Sequence, residues 1–472
     1  MSSPVSATPA EIIDTAQTYG WDTVFAMHID DVNDAIKKAG SSPTTFSVVD
    51  NQDGFFVDGT FGTWQITTGG SGDIVCLAIP IASAAITNPD KSVVTVSGTA
   101  TVEVRLNFLH QEEAEIAAGT QHVLKVQTSA SGPELDVATV ARIDYNGGAP
   151  PFLEKAALEA MLGLWLNENL ADFDHVFAIV NLDRKAATGA FQWMQPTDIA
   201  YAYADIGTPG DGILAILCMT EGRSSEKLIQ QISSSAIPKG QRAAFLISKE
   251  RVLEKLMLPA MPHVFAGTTL ADFVMSDSGD AIKNANANIN FSVTNDGKKY
   301  QARIVDLSVT IVAAEMQFAV KTITVLSSEV DAYCQSRNFL GIQLVNKPDN
   351  GQTLNYYNIR PAEENHWTDN KLANTEWWLN IFAIVAGAIL TVVSLGSAIG
   401  IAALIVILVA GGMTLATTII QDVGKNNAPA IDALVLDSTA AIEWSDPKDF
   451  LINGASLNDS LQLGGNPHFS QA

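Results

Sequence analysis

The sequence predicts an α+β fold in which long antiparallel strands form sheets and long apolar helices lie against them. Three observations carry that prediction. Val94, Val96, Ala100, Val102, Val104, Leu106 and Phe108 alternate with Thr95, Ser97, Thr99, Thr101, Glu103, Arg105 and Asn107, and a period of 2 sustained this long means one strand with one wet face. Pro151 precedes a helical run, Phe152–Leu170, in which Leu158, Met161, Leu162, Trp165 and Leu166 form one apolar stripe. The stretch Trp377–Gln421 contains no charged residue; about 20 apolar residues make a helix that spans a bilayer core, so this run suffices for two.

The elements follow in chain order. Residues 1–12 read as a flexible arm. Asp30–Ala39 predicts a short amphipathic helix: Val32, Ala35, Ile36 and Ala39 share a face, and its acidic start and lysine end suit the helix dipole. Strand-like runs from Phe46 to Leu77 are punctuated by Asn51-Gln52-Asp53-Gly54 and by a hairpin loop over Thr67–Asp73. Gly98 marks a bend or bulge in the long strand. His122–Thr128 and Val137–Tyr145 continue the strands, and the helix Phe152–Leu170 is expected on the concave face of the sheet they form. Val176–Leu182, Gly189–Trp193 and Gly212–Met219 return to strand. The last is apolar at consecutive positions, which predicts cover on both faces. Ser248 is placed to cap a helix over Lys249–Leu258, ended by Pro259 and Pro262.

The second half repeats this order. Asn284–Val293 alternates, Asn295-Asp296-Gly297 turns, Lys299–Val312 alternates again, and Met316, Phe318 and Val320 continue the pattern. The apolar run follows, with Ser394–Gly400 as the natural turn between its two helices, because glycine weakens a helix interior. The expected organisation is thus a first half over 13–258, a second half over 259–460 containing the apolar hairpin 377–421, and a loose tail at 461–472.

Composition restricts function. With 27 Lys and Arg against 51 Asp and Glu, a net charge of −24 argues against nucleic-acid binding, which needs cations to displace counterions. It argues equally against general attraction to anionic lipid. Cys76, Cys218 and Cys334 are too scattered for a disulfide framework or a metal site. The start of the chain lacks a basic region followed by an apolar core, so no cleaved signal is expected; synthesis is cytoplasmic, with release by lysis or another route. The seven histidines occur singly, with no metal-ligand spacing, no nucleophile elbow and no phosphate-cradling loop. The adjacent pairs Glu112-Glu113 and Glu363-Glu364 read as solvated charges. No enzyme and no cofactor are implied.

Three phrases carry a resemblance: Tyr19-Gly20-Trp21-Asp22-Thr23-Val24-Phe25-Ala26, then Gly212–Thr220, then Phe245-Leu246-Ile247-Ser248-Lys249-Glu250 running on to Leu258-Pro259-Ala260-Met261. In these the chain resembles the forty-seven-kilodalton non-neurotoxic protein family of clostridial botulinum-type (orfX-type) gene clusters. The resemblance extends over nearly the whole chain. It implies a TULIP fold, a long helix wrapped by a strongly curved antiparallel sheet. It also implies a toxin-cluster accessory role, with relatives beside insecticidal toxins, and partners among cluster-encoded proteins or lipid. It supplies no catalytic residues.

Two sets of residues follow as candidate sites. Trp377, Trp378, Phe382, Ile389, Leu390, Leu404, Ile405 and Ile407 are the candidate lipid or membrane contacts, since tryptophan bordering an apolar helix suits a membrane interface. Leu158, Met161, Leu162 and Trp165 are the candidate apolar groove of the first half. The expected function is that of a non-enzymatic accessory protein acting through partner or lipid. The alternatives are membrane insertion of the 377–421 hairpin, or carriage of a hydrophobic ligand. The hairpin itself is expected to be shielded within a water-soluble protein.

Overall fold

The computed structural model describes residues 15–40, 42–110, 121–126, 136–169, 179–181, 192–194, 196–206, 212–265, 267–295, 298–328, 330–346, 352–368, 442–443 and 447–469. Within these residues the strands form three sheets, paired antiparallel throughout and none of them closed.

The first sheet is built around the predicted long strand. Its strands are β2 (Thr45–Val49), β3 (Phe56–Phe61), β4 (Gln65–Ser71), β5 (Ile74–Thr87), β6 (Val93–His110), β7 (Gln121–Val126), β8 (Ala138–Tyr145), β9 (Ile179–Asn181) and β20 (Ile442–Glu443). Glycine 98 has a specific reason to be there. A Cβ on it would stand 2.4 Å from the Asp144 carbonyl oxygen of β8, and the β5–β6 register slips beside it, between Ile81 and Ala84. The predicted hairpin over Thr67–Asp73 joins β4 to β5.

The second sheet has the order β10 (Pro196–Ala204), β11 (Ile213–Thr220), β1 (Thr23–His28), β12 (Ala243–Ser248), β22 (Ser460–Phe469), β21 (Pro447–Leu457). Every residue of β11 is buried, because both faces are covered, as its unbroken apolar run requires. Leu214, Ile216 and Cys218 enter the main core. Ile213, Ala215, Leu217 and Met219 enter a smaller core with Trp21, Ile232 and Ile237 from the flanking loops. The third sheet runs β13 (Phe273–Met275), β14 (Ala281–Asn284), β16 (Lys298–Val312), β17 (Glu315–Ser327), β18 (Val330–Asn346), β19 (Gln352–Thr368), with β15 (Ile289–Asn295) also on β16.

Helix α1 (Ile29–Ala39) carries the expected Asp30 and Asp31 in its first turn and Lys37 and Lys38 in its last. Its Asn33 carboxamide grips β4 like a paired strand, donating to the Ile66 carbonyl (2.9 Å) and accepting the Ile66 N–H (2.7 Å). Helix α2 (Phe152–Glu168) buries the same five-residue stripe that the sequence predicted. Asn167 clamps its end to β8, accepting the N–H groups of Val137 and Ala138 and donating to the Ala138 carbonyl.

The α+β expectation does not survive. Among the described residues the protein is mainly β, with few helices, and α2, with 17 residues, is the longest helix. Among the described residues no sheet closes and no helix is long and apolar, so the expected arrangement of long apolar helices wrapped by strongly curved sheets, the TULIP-like fold implied by the resemblance, is overturned. The physical cause lies in strands that gave no periodic signal, β10, β18 and β19 above all. The apolar run 377–421 lies outside the described residues.

Smaller differences have local causes. Pro259 and Pro262 do not end the helical segment; they sit in the first turns of short helices that carry it to Val264, where a missing N–H costs nothing. A π-turn at Val252–Met257 precedes them, and Ser248 caps the start by accepting the Arg251 N–H at 3.3 Å. The described part of the expected strand Gly189–Trp193 is a 3₁₀ turn, Gln192–Met194. Residues 461–469, expected as tail, belong to β22, which pairs with β12 from Ala243↔Gly465 to Ser248↔Ser460 and buries Leu461 and Leu463 fully.

Asp459, in the turn before β22, joins three regions. Its N–H donates to the Ala313 carbonyl at 2.8 Å, and its carboxylate accepts from Thr15 Oγ1 at 3.1 Å and Lys249 Nζ at 3.4 Å.

Candidate functional site

Leu158, Met161 and Leu162 do not line an open groove: they are core side chains, and Trp165 is 7% exposed. The Trp165 ring lies 5.4 Å from Phe61 and 6.3 Å from Phe46, whose ring in turn stacks on Phe61 at 4.5 Å. Glycine at 59 is required for this packing, since a Cβ there would come 2.5 Å from the Phe46 ring. One edge of Trp165 reaches the wall of a cleft of about 650 Å³ that opens over β2 and β3. A smaller cleft of about 240 Å³ lies by Trp21, Asp198 and Ser225. The other candidate contacts, Trp377, Trp378, Phe382, Ile389, Leu390, Leu404, Ile405 and Ile407, lie outside the described residues. Within the described residues no helix is long and apolar enough to cross a membrane.

The opposite end of α2 is a protrusion. Phe152 is 81% exposed and Leu153 67% exposed. They sit at the first two helical positions, after Pro150-Pro151 and outside the buried stripe, which is the one sequence signal that marks them. Neighbouring turns brace them: Asn88 Nδ2 donates to Glu154 Oε1 at 3.2 Å, and Gly54 lies against Pro89. Val49, which ends the edge strand β2, and Val93, which opens β6, are both more than half exposed at the same end of this sheet.

Charged groups gather at a third place, and they are occupied with one another. Asp22, 1% exposed, accepts the Thr220 N–H at 2.9 Å and Thr220 Oγ1 at 2.8 Å, and pairs with Arg223 at 2.9 Å. Arg251, equally buried, reaches Glu221 and, at 2.7 Å, Glu254, with its guanidinium 5.1 Å from the centre of the Trp193 ring. Lys255 holds the other Glu221 oxygen at 2.7 Å. Burial would raise the Glu221 carboxyl, but hydrogen bonds from Lys255 and Arg251 outweigh it and hold the group below its ordinary value. Three carboxylates and three cations balance here, so the cluster ties β1, β11 and the helical segment 249–264 together instead of presenting free charge.

The thiols are equally withdrawn. All three cysteines are buried, and burial pushes Cys218 and Cys334 up to about 12 and raises Cys76. Among the described residues no group of His, Cys, Asp or Glu could hold a metal ion. Among the described residues the arrangement defines a β-rich protein with two large apolar side chains exposed at one helix end.

The sequence model of the OrfX-like family, described as Protein OrfX2/OrfX3/P47, matches residues 18–465, and the chain belongs to that family. It is similar to the Protein OrfX3 of Paraclostridium bifermentans, 28% identical over 480 residues, covering 95% of this chain and 98% of that one. Similarity to the Protein OrfX3 of Clostridium botulinum (strain Kyoto / Type A2) is 27% over 482 residues, with the same coverage. Among solved structures, P47 from Clostridium botulinum A2 shares the fold with a TM-score of 0.64 at 17% identity, over 96% of this chain and 98% of that one. P47 of Clostridium botulinum E1 gives a TM-score of 0.63 at 15% identity, over 95% and 100%.

Proposed function

We propose that this protein is a non-enzymatic accessory protein of a bacterial toxin system and works by binding a partner encoded beside it. The observation that carries the reading is the family match across residues 18–465, with OrfX3 relatives aligned over 98% of their length. We assign the partner contact to Phe152 and Leu153: two large apolar side chains exposed on a rigid helix end make anchors of the kind that dominate interface energy. The test is co-expression of the full chain with the products of neighbouring genes. A complex that survives purification is expected, and Phe152→Ser with Leu153→Ser should abolish it without altering thermal unfolding. Recovery of no neighbouring product would overturn the proposal.

The uncharged run Trp377–Gln421 favours a second reading, direct contact with lipid through Trp377, Trp378 and the apolar residues that follow. Dye-filled liposomes test it: leakage is expected from the protein and should disappear when Ala386→Lys and Ile407→Glu place charges in the run. No leakage from the unaltered protein would remove this reading.

A further inference from the structure

The pair Asn-Gly occurs three times in the chain, at Asn146, Asn350 and Asn453. Such a pair is reactive, because glycine puts no Cβ beside its own nitrogen and lets the main chain swing that nitrogen onto the preceding carboxamide. The fold separates the three copies. Asn350 lies outside the described residues. Asn453 is held inside β21, where its neighbours Ile452 and Gly454 pair with Gly465 and Gly464 of β22. Asn146 follows the last residue of β8 and stands in an exposed turn with Gly147, Gly148 and Ala149.

Every part of the reaction is accessible at Asn146. Its own N–H is anchored on the Ser97 carbonyl at 2.8 Å, but its carboxamide is barely held: Nδ2 reaches Ser97 Oγ at 3.5 Å, the outer limit of a hydrogen bond. Among the described residues no hydrogen bond holds the Gly147 N–H. A Cβ on Gly147 or Gly148 would meet nothing within 4 Å, so the turn has room to rearrange. We propose that Asn146 is a site of spontaneous modification, converted to isoaspartate and aspartate. The Gly147 nitrogen gives up its proton and attacks Asn146 Cγ; the new N–C bond closes a five-membered succinimide while the Cγ–Nδ2 bond breaks and ammonia leaves. Water then opens the ring at either carbonyl, and opening at the main-chain carbonyl routes the backbone through the side chain. Both products add one negative charge to the turn, and isoaspartate also adds a methylene to the main chain. The change falls just ahead of Pro150-Pro151 and of the exposed Phe152 and Leu153 that open α2.

The test incubates the folded, full-length protein at physiological temperature and follows it by peptide mapping with mass spectrometry. The peptide containing Asn146 is expected to exchange its amide for an acid, with isoaspartate the larger product. The rate should rise about tenfold from pH 7 to pH 8, because the attacking nitrogen must first lose its proton. The peptide containing Asn453 should keep its amide over the same period. A synthetic peptide spanning Asp144–Pro151 gives the rate without a fold. Three results would overturn the proposal: Asn146 keeping its amide while the synthetic peptide converts, conversion at a rate independent of pH, or Asn453 converting as fast as Asn146.

Discussion

Arg251 ties together three segments of the first half of the chain. Its guanidinium is buried against carboxylates from three separate elements, at Asp22, Glu221 and Glu254. Removing one partner of a buried ionic network leaves charge uncompensated, so Arg251→Ala should cost about 3–5 kcal/mol, read as a lower urea midpoint at unchanged slope. The same network gives stability a pH dependence of definite sign. The folded Glu221 carboxyl is held below its ordinary 4.5, so its contribution is complete above that pH and is lost as pH falls through the depressed value. Urea unfolding between pH 6 and pH 3 should therefore show a shallower loss of stability in Glu221→Gln than in the unaltered protein. An equal slope in both would separate Glu221 from acid unfolding. Thiol accessibility gives a third measurement at this scale. With Cys76, Cys218 and Cys334 buried, Ellman's reagent should titrate no thiol in the native protein and all three in guanidinium.

Two elements carry opposite expectations for substitution. In α2, Leu162 is fully buried, so Leu162→Ala should destabilise by about 2–5 kcal/mol through lost contacts and an unfilled cavity. Ten residues earlier on the same helix, Phe152→Ser should shift stability by less than about 0.5 kcal/mol, and calorimetry of the two variants would reveal the contrast. The buried stripe of α2 was legible because every residue in it is apolar at helical spacing. β17 was legible only over Met316–Val320 and β18 not at all, because their buried faces carry Thr322, Thr324, Ser336 and Asn338 among the apolar residues. Polar groups on the inner face erase the alternation that identifies a half-buried strand. β19 fails for the opposite reason: from Tyr357 to Asn365 it is exposed on both faces but for Ala362, so neither face is marked. The candidate sites divide in the same way. Phe152 and Leu153 stand out in the sequence as large apolar residues off the stripe, whereas the Asn-Gly pairs at Asn146 and Asn453 read alike and only strand pairing tells them apart.

At the scale of the molecule, the pairing of β12 with β22 makes the beginning and end of the chain parts of one sheet. A chain ending at residue 446 would leave Phe245 and Ile247 without their neighbours Leu463 and Leu461. Such a truncation should fail to give a protease-resistant product, and limited proteolysis would show this directly. A stable fragment covering residues 15–265 would instead mean that the N-terminal strands hold without β22. The pairing also imposes a schedule on biosynthesis. Roughly 200 residues separate Ser248 from its partner Ser460, and at a ribosomal rate of about 5–20 residues per second the wait is about 10–40 s. For that interval the nascent β12 offers an open, strongly apolar edge to any other unpaired strand. Yield in a producing cell should then depend on translation speed and on chaperones that mask the edge, with the last strand acting as the latch that ends the exposure.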